Sequence, residues 1–293
     1  MLIVNHAHMK TNTLTPTSLP LAAGSTAEDR MRAILSIIAG HGFQSIDTLA
    51  GHFGVSTQTI RRDVNTLCDR GLCRRRHGGI DVLPEGENVD YPSRRILNRE
   101  AKRCIAGCVA KMVPDGASLF FGIGTTPEAC AQALLDRKGL RVMTNNLNVA
   151  VALSRSPSCE ITVAGGRLRN LDGDVVDGEA HGFFSRFSVD IGIYGVGGVA
   201  EDGGLLDFSH DEVRMRSDLT SHCRKRFLVL DHSKFNRSAT VRGGHITEAH
   251  LVFTDQPPPS HIAAMLNEAG VQLVVVPHQE VSPHQPTFTK GAI

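Results

Sequence analysis

The sequence lacks the features that mark membrane, secreted and metal-binding proteins. No run of eighteen apolar residues occurs, so nothing in it has the length of a membrane-spanning helix. The opening residues 1–4 are apolar but too few for a signal-peptide core, and no charged lead precedes them. The seven cysteines include no Cys-x-x-Cys pair, which disfavours zinc and redox motifs and indicates small buried residues in a reducing cytosol. We therefore expect a cytoplasmic protein without a metal or a cofactor.

The chain also has little net charge, but its charges are unevenly distributed. The formal net charge is +1 over 293 residues, which by itself argues neither for nor against nucleic acid. Between Val55 and Arg76, however, two aspartates stand against six arginines: Arg61, Arg62, Arg70, Arg74, Arg75 and Arg76. A local basic stripe in a neutral protein is typical of a DNA-facing surface, although a solvated helix face is the simpler alternative.

Changes in composition and periodicity divide the chain into two predicted domains with flanking segments. A length of 293 residues with 41% apolar residues is enough for two hydrophobic cores. The predicted segments are a disordered leader (1–26), a winged helix-turn-helix domain (27–83), a linker (84–98), an α/β domain (99–277) and a disordered tail (278–293).

The first domain is predicted from three amphipathic helices and a hairpin. The apolar positions of the three helices are Met31, Ile34, Leu35 and Ile38, then Ile46, Leu49, Ala50 and Phe53, then Ile60, Val64 and Leu67. Ser56 is a good N-cap for the third helix, and residues 72–83 form a hairpin turning at Gly78-Gly79, the wing. Three short helices with a glycine turn between the second and third make a helix-turn-helix.

The third helix and the wing carry side chains that suit contact with duplex DNA. The candidate DNA-binding residues are Ser56, Thr57, Gln58, Thr59, Arg61, Arg62, Asn65, Arg74, Arg75, Arg76 and His77. Glutamine pairs with adenine edges and arginine with guanine edges, while hydroxyls and the wing arginines suit phosphates. The alternative is a winged helix used only for protein contacts, which would not concentrate arginines on these two parts.

The second domain is predicted as an open, mostly parallel sheet with helices on both faces. Strands are expected at 118–121, 140–143, 160–163, 189–194, 227–230, 251–254 and 271–276. Helices are expected around Ile105 to Met112 and at 127–137, 147–154, 210–222 and 261–269. Alternation of strands and helices is typical of this α/β architecture.

The loop after the first of these strands has the chemistry of a phosphate site. Gly122, Gly124, Thr125 and Thr126 precede Pro127, which is expected to begin a helix. Small residues at a helix N-terminus let backbone N–H groups approach an anion, and the threonines add hydroxyl donors. The loop fits neither a Walker motif nor a dinucleotide fingerprint, and a tight turn with a threonine cap is the alternative.

Other polar residues are expected at the same edge of the sheet, where ligands of open α/β folds bind. These further candidate effector-binding residues are Thr144, Asn145, Asn146, Gly165, Gly166, Gly197, Asp207, Glu212, Arg214 and Lys234. Lys234 suits a phosphate as a point charge, although a surface lysine in a turn is its simpler interpretation.

Two sets of motifs resemble the DeoR family of bacterial transcriptional regulators. The first set is the run from Ser56 to Leu67 with Arg75-Arg76-His77-Gly78-Gly79. The second set comprises 124–129, 140–150, 205–208, 212–214 and 231–235, so the resemblance extends from Ala27 to Pro259. It implies that Thr57 to Arg62 lie on the recognition helix. We expect Asp63 to orient neighbouring arginines, because a carboxylate facing DNA would be repelled.

The resemblance also implies a ligand and an assembly. The family's sensor domain resembles ribose phosphate isomerases and CoA transferases, and its usual ligands are phosphorylated sugars. The second set of motifs is most similar to regulators of glycerol 3-phosphate metabolism, which implies glycerol 3-phosphate as the inducer of a homo-oligomeric repressor, a dimer or tetramer on operator DNA.

Two positions depart from the family pattern. Many members have an acidic residue at Gly122, and glycine removes that acceptor, so the ligand or the recognition of its hydroxyls can differ. Asn236 replaces a common glycine, which matters little because asparagine tolerates positive φ. The open alternatives are a regulator of another sugar-phosphate pathway, an activator, and an isomerase-like enzyme. We expect no enzyme, because nothing in the sequence brings acid and base groups together.

Overall fold

The structure is a computed structural model that describes residues 26–69, 72–81 and 91–276. These residues divide into two compact units, the first within 26–81 and the second within 91–276. Except for Thr26, the predicted leader lies outside the described residues, as do the predicted tail and the first part of the predicted linker, 84–90. No helix in the described part of the chain is long and apolar enough to cross a membrane.

The first unit contains three helices and a small antiparallel sheet. Its elements are α1 (Ala27–His41), β1 (Gln44–Ser45), α2 (Ile46–Phe53), α3 (Thr57–Asp69), β2 (Arg74–Arg76) and β3 (Gly79–Asp81). Strand β3 lies between β1 and β2. This arrangement confirms the predicted winged helix-turn-helix. Strand β1 was not predicted, because two residues are too few to produce an alternating pattern.

Capping side chains define where these helices begin. Thr26 and Asp29 form a reciprocal capping box at α1, and Ser45 caps α2. The backbone N–H of Thr59 donates to Ser56 Oγ over 3.2 Å, so Ser56 caps α3 as predicted. Caps of this kind contribute about 1 kcal/mol each to helix stability. The predicted inner faces meet in one core that includes Ile34, Ile38, Leu49, Ile60, Val64, Leu67 and Ile80.

The second unit is built on a seven-stranded sheet in which every neighbouring pair is parallel. Its helices are α4 (Tyr91–Ile96), α5 (Arg99–Met112), α6 (Thr125–Gln132), α7 (Leu147–Leu153), α8 (His210–Ser221) and α9 (Ser260–Glu268). The sheet contains β4 (Ser118–Phe121), β5 (Arg141–Thr144), β6 (Glu160–Val163), β9 (Val189–Tyr194), β12 (Cys223–Val229), β14 (Leu251–Thr254) and β15 (Gln272–Val275). Their spatial order is β15-β14-β12-β9-β4-β5-β6.

Helices cover both faces of this sheet and create two cores. Strand β4, in the interior of the sheet, is buried on both sides, since Leu119 and Phe121 pack in one core and Phe120 packs in the other. The first core includes residues of α5, α6 and α7, and the second includes residues of α8 and α9. Burial on both faces explains why the strands are continuous apolar runs, and it confirms the predicted α/β architecture.

Five short strands outside the main sheet were not predicted. They are β7 (Leu168–Arg169), β8 (Asp174–Val175), β10 (Gly198–Val199), β11 (Gly204–Asp207) and β13 (Val241–His245). Strands β7 and β8 form a hairpin, and β10-β11-β13 form a second antiparallel sheet. Most of them are two residues long or rich in glycine, so their sequences lack the alternation of apolar and polar residues from which a strand could be predicted. The small sheet brings Gly197 next to Asp207, whose Oδ1 accepts the Gly197 N–H over 2.9 Å.

The structure corrects the second part of the predicted linker, residues 91–98. Residues 91–96 form helix α4, because Tyr91 is buried and its hydroxyl donates to Glu128 Oε2 over 2.9 Å. The Lys102 ammonium also donates to the backbone carbonyls of Arg94 and Leu97, near the end of α4. Proline within a polar stretch suggested a linker, but tertiary contacts of this kind override local composition.

Helix α6 also differs from its prediction. It begins at Thr125 rather than Pro127 and ends at Gln132 rather than Arg137. Gly124, with φ +113°, is its N-cap, so the two threonines occupy the first helical turn. This earlier start matters because it turns the amides of Thr125 and Thr126 into free donors at the helix N-terminus.

Candidate functional site

One face of α3 is buried and the other is polar and exposed. Ile60, Val64 and Leu67 face the core. Thr57, Gln58, Arg61, Arg62 and Asn65 are exposed, and Thr59 is half-buried. Across residues 26–69, 72–81 and 91–276, no carboxylate pairs with Arg61 or Arg62. This face therefore presents two uncompensated positive charges among hydrogen-bonding side chains.

The wing adds a row of arginines beside α3. Arg74, Arg75 and Arg76 are all exposed on β2, and His77 follows them. Arg75 donates to Oδ1 of Asn65, which connects the wing to α3. Arg70, the remaining member of the basic stripe, lies outside the described residues.

The aspartate of the wing offsets only part of this charge. Asp81 Oδ2 lies 3.5 Å from the Arg74 guanidinium and 3.2 Å from that of Arg76. The turn between the strands requires glycine, since Gly78 has φ +76° and a Cβ on Gly79 would lie 2.1 Å from the carbonyl oxygen of Gln44.

Asp63 has a different partner from the one predicted. It is buried, and its carboxylate binds Arg30 of α1, with Nε and Oδ2 2.6 Å apart. It therefore clamps α1 to α3 and does not orient Arg61 or Arg62. The sequence could not reveal this pair, because the two residues are 33 positions apart.

In the second unit, one pocket lies where β4, β9 and β12 end. Seven of the predicted effector-binding residues line it: Gly124, Thr125, Thr126, Gly197, Asp207, Glu212 and Lys234. The loops after these three strands converge because the strands are parallel neighbours in the sheet. The pocket is thus at the edge where it was expected.

Two arginines that sequence reasoning missed also line the pocket, Arg94 of α4 and Arg237. Arg94 pairs with Asp172 and stacks over the Tyr91 ring, 5.1 Å from its centroid. Arg237 donates to the carbonyl of Gly197 over 3.2 Å. Arg94 was hidden in the presumed linker, and no motif marks Arg237. We see no sequence signal that would have identified either one.

Crowding of cations shapes the electrostatics of this pocket. Burial, and then the neighbouring Arg237, lowers the pKa of half-buried Lys234 to about 7. Burial and Arg94 likewise lower the pKa of Arg237. Burial also lowers the pKa of Lys102, behind α4, to about 8. A bound anion stabilises the protonated forms of these groups and so raises their lowered pKa values.

The carboxylates at the other end of the pocket are held by arginines. Asp207 Oδ2 accepts two bonds from Arg216, 2.9 and 3.0 Å long. Glu212 accepts from Arg169 over 2.8 Å and from the backbone N–H of Phe208 over 2.9 Å. Each oxygen retains acceptor capacity for a ligand hydroxyl. The pocket therefore has a cationic end and a carboxylate end.

Two of the predicted effector residues brace the Gly122–Gly124 loop. Thr144 Oγ1 donates to the carbonyl of Phe121 over 2.9 Å. The Asn146 Nδ2 group lies 3.4 Å from the carbonyl oxygens of Gly122 and Gly124, while its Oδ1 caps α7. Neither residue lines the pocket.

Five more predicted residues lie elsewhere. Gly165 and Gly166 are in the connection between β6 and β7, and Arg214 is exposed on α8 in a groove with His181 and His210. Gly122 and Asn145 line a smaller cavity next to the pocket. Asn236 has φ +58°, as the tolerance of asparagine for positive φ allows.

Within the described ranges, no group of three or more histidine, cysteine, aspartate or glutamate side chains could hold a metal ion. The arrangement is thus one of charge and hydrogen bonding. It can hold an anion at one end and hydroxyl groups at the other.

Comparison with protein families gives two matches. Residues 30–85 match the DeoR-like helix-turn-helix domain, and residues 97–256 match the DeoR C-terminal sensor domain.

Two relatives share the name glycerol-3-phosphate regulon repressor. The protein of Escherichia coli (strain K12) is 41% identical, covering 83% of this chain and 97% of that one. The protein of Haemophilus influenzae is 42% identical, covering 84% and 96%. Among solved structures, ribose 5-phosphate isomerase A of Methanocaldococcus jannaschii is 15% identical with a TM-score of 0.36, covering 47% of this chain and 55% of that one. A likeness that weak supports no conclusion.

Proposed function

Because the chain belongs to the DeoR family of helix-turn-helix transcriptional regulators, we propose that it represses genes of glycerol 3-phosphate metabolism and that a phosphorylated polyol releases it from its operator. It is a regulator and not an enzyme. The names of the two relatives support the regulon. The observation that carries the effector class is the pocket in which Arg94, Lys234 and Arg237 face the N-terminus of α6.

The exposed face of α3 is the proposed major-groove reader. Gln58, Arg61, Arg62 and Asn65 suit base edges, and each good bidentate pair gives about 1–3 kcal/mol of discrimination. The proposed phosphate contacts are Ser56, Thr57, Thr59, Arg74, Arg75, Arg76 and His77. Asn65 must exchange its bond to Arg75 for a base, which leaves Arg75 available to the DNA backbone.

The effector phosphate is proposed to occupy the cationic end of the pocket. Lys234, Arg94 and Arg237 supply charge, while the amides and hydroxyls of Thr125 and Thr126 supply donors at the start of α6. Hydrogen bonds to charged groups contribute about 1.5–3 kcal/mol each. The hydroxyls of the polyol then face Asp207 and Glu212. Glycerol 3-phosphate has this polarity, with an anion at one end and hydroxyls at the other.

Release of DNA requires that the ligand prefer one conformation over another. Helix α4 is the proposed responding element, because it is the first described element after residues 82–90 and it contributes Arg94 to the pocket. Arg94 forms an ion pair with Asp172. An arriving phosphate competes for this guanidinium and so biases the position of α4. We further propose a cytoplasmic homo-oligomer, since paired half-sites require at least a dimer.

The test combines genomic selection of bound DNA with release by ligands. Purified protein should retain a small set of DNA fragments at moderate salt. Glycerol 3-phosphate should release these fragments at concentrations at which glycerol and inorganic phosphate do not. Release by another sugar phosphate alone would instead assign a different pathway to the same pocket. A protein that retains no fragment even at low salt would contradict the proposal.

A further inference from the structure

A small cavity lies beside the effector pocket and is lined in part by the same residues. Ile123, Gly195, Asp207 and Glu212 line both of them. The cavity has an accessible volume of about 20 Å³. A volume of about 10–15 Å³ is enough for one water molecule, so the cavity can hold one group of the size of an oxygen atom.

One wall of this cavity carries a buried acceptor without a donor. Asn145 is 1% exposed, and its Nδ2 donates to the carbonyl of Val175 over 2.8 Å. With Nδ2 engaged in this bond, Oδ1 is the remaining polar atom of the side chain. Within the described part of the chain, Oδ1 has no hydrogen-bond partner. Buried carbonyl oxygens of this kind are nearly always paired, so a donor from outside the chain is expected.

Glycine at position 122 keeps the cavity open. A Cβ there would lie 3.4 Å from Leu219 Cδ1 and 3.4 Å from Tyr194 Cβ, so it would fit only by occupying the free space. The rest of the lining includes the apolar Phe184, Met215 and Leu219. It also includes Asp207, Glu212 and Arg216, whose charges are already paired. A ligand group that enters must therefore be small, and Asn145 offers it an acceptor that has no donor among the described residues.

We propose that Gly122 and Asn145 form a subsite for the terminal hydroxyl of the effector, which makes the protein selective for a three-carbon polyol phosphate. This inference rests on the proposed function, because the phosphate must first be held at Lys234. The secondary hydroxyl then meets Asp207 and Glu212, and the terminal hydroxyl donates to Asn145 Oδ1. The cavity has room for about one such group, so we expect longer chains to bind poorly.

The test compares ligands that differ in one hydroxyl. Calorimetry of the full-length protein with glycerol 3-phosphate, 2-hydroxypropyl phosphate and inorganic phosphate isolates the terminal hydroxyl. We expect the wild type to bind glycerol 3-phosphate about tenfold more tightly than 2-hydroxypropyl phosphate, since one hydrogen bond is lost. In Gly122→Ala the preference should vanish, because the added methyl group fills the space, while the affinity for inorganic phosphate stays within twofold.

A second variant and a control keep the outcome clear. Asn145→Ala removes the acceptor without filling the cavity, so it should also lose the preference. Arg155→Ala, at an exposed position that lines neither the pocket nor the cavity, should keep it. Equal wild-type affinity for glycerol 3-phosphate and 2-hydroxypropyl phosphate would overturn the subsite and leave the proposed function intact. A folded, DNA-binding protein that binds neither would overturn both.

Discussion

The two units place their functional groups in opposite ways. In the first, the candidate residues lie within one stretch, 56–77, and project from exposed surfaces. In the second, the pocket residues range from Arg94 to Arg237 and meet only because parallel strands end together. A surface reader needs one helix and its neighbour, whereas a pocket needs the whole sheet. The first is therefore a local property of the chain and the second a topological one.

The charges of the two units differ in the same sense. Arg61 and Arg62 are exposed to water, where salt screens their charges. Lys234 is crowded among other cations, and burial lowers its pKa to about 7. Binding at the first should therefore depend mostly on salt, and binding at the second mostly on pH.

The largest expected effect comes from removing the exposed charges. The double variant Arg61→Ala/Arg62→Ala should lower operator affinity by about 1,000-fold or more, because two groove contacts are lost together. Effector binding should stay unchanged, as measured by calorimetry. Arg155→Ala, another exposed arginine, is the matched control in gel shifts. Normal operator affinity in the double variant would refute the role of α3 in reading DNA.

Removing the pocket lysine should have the opposite effect: effector binding should weaken while DNA binding stays unchanged. Lys234→Ala should bind the operator normally, while its affinity for glycerol 3-phosphate falls by about 10- to 150-fold with the loss of a charged hydrogen bond. Titration of a DNA complex with effector measures the shift. Release at the wild-type effector concentration would count against Lys234 as a phosphate ligand.

The dependence on pH should distinguish the pocket from the DNA surface. An anion binds the protonated form of Lys234 and raises its pKa, so the contribution of Lys234 to effector affinity is fully present well below pH 7 and declines above it. A lysine pKa near 7 gives a loss of about fivefold between pH 7 and pH 8. Lys234→Arg should flatten this decline, because arginine keeps its charge. A slope that persists in this variant would point to another group, with Lys102 the first candidate.

The smallest expected effect concerns the pair between Arg94 and Asp172. Asp172→Asn should strengthen effector binding by about threefold, since Arg94 no longer divides its charge between a carboxylate and the ligand. Asp115→Asn, at an exposed carboxylate outside the pocket, should have no effect. Weaker effector binding in Asp172→Asn would mean that the aspartate orients Arg94 instead of competing for it.

Much of the fold could be predicted because its signals are periodic. The apolar spacing of α1, α2 and α3 and the strand runs of the main sheet follow directly from burial on one face or two. The five short strands and α4 could not be predicted in this way. The strands are too short or too rich in glycine to show a period, and α4 is held by the contact of Tyr91 with the distant Glu128.

The residues of the candidate site also differ in how far the sequence could predict them. Loop residues such as Gly124 and Thr125 could be identified, because a strand, small residues and a helix follow one another in the sequence. Thr144 and Asn146 belong to a similar loop, yet their side chains turn to the backbone and support the pocket from behind. Side-chain direction at a strand end depends on the neighbouring loop, which the sequence does not specify locally.

By itself the sequence determined two domains, a basic third helix with its wing, and a loop of glycines and threonines at a strand end. Only the tertiary structure decided which cations surround that loop, that Asp63 clamps α1 to α3, and that Asn145 faces a small cavity without a donor. The physical reason is the separation along the sequence over which each kind of signal arises. Helix periods, caps and charge clusters arise between residues a few positions apart, whereas pockets form between residues that only the order of strands brings together.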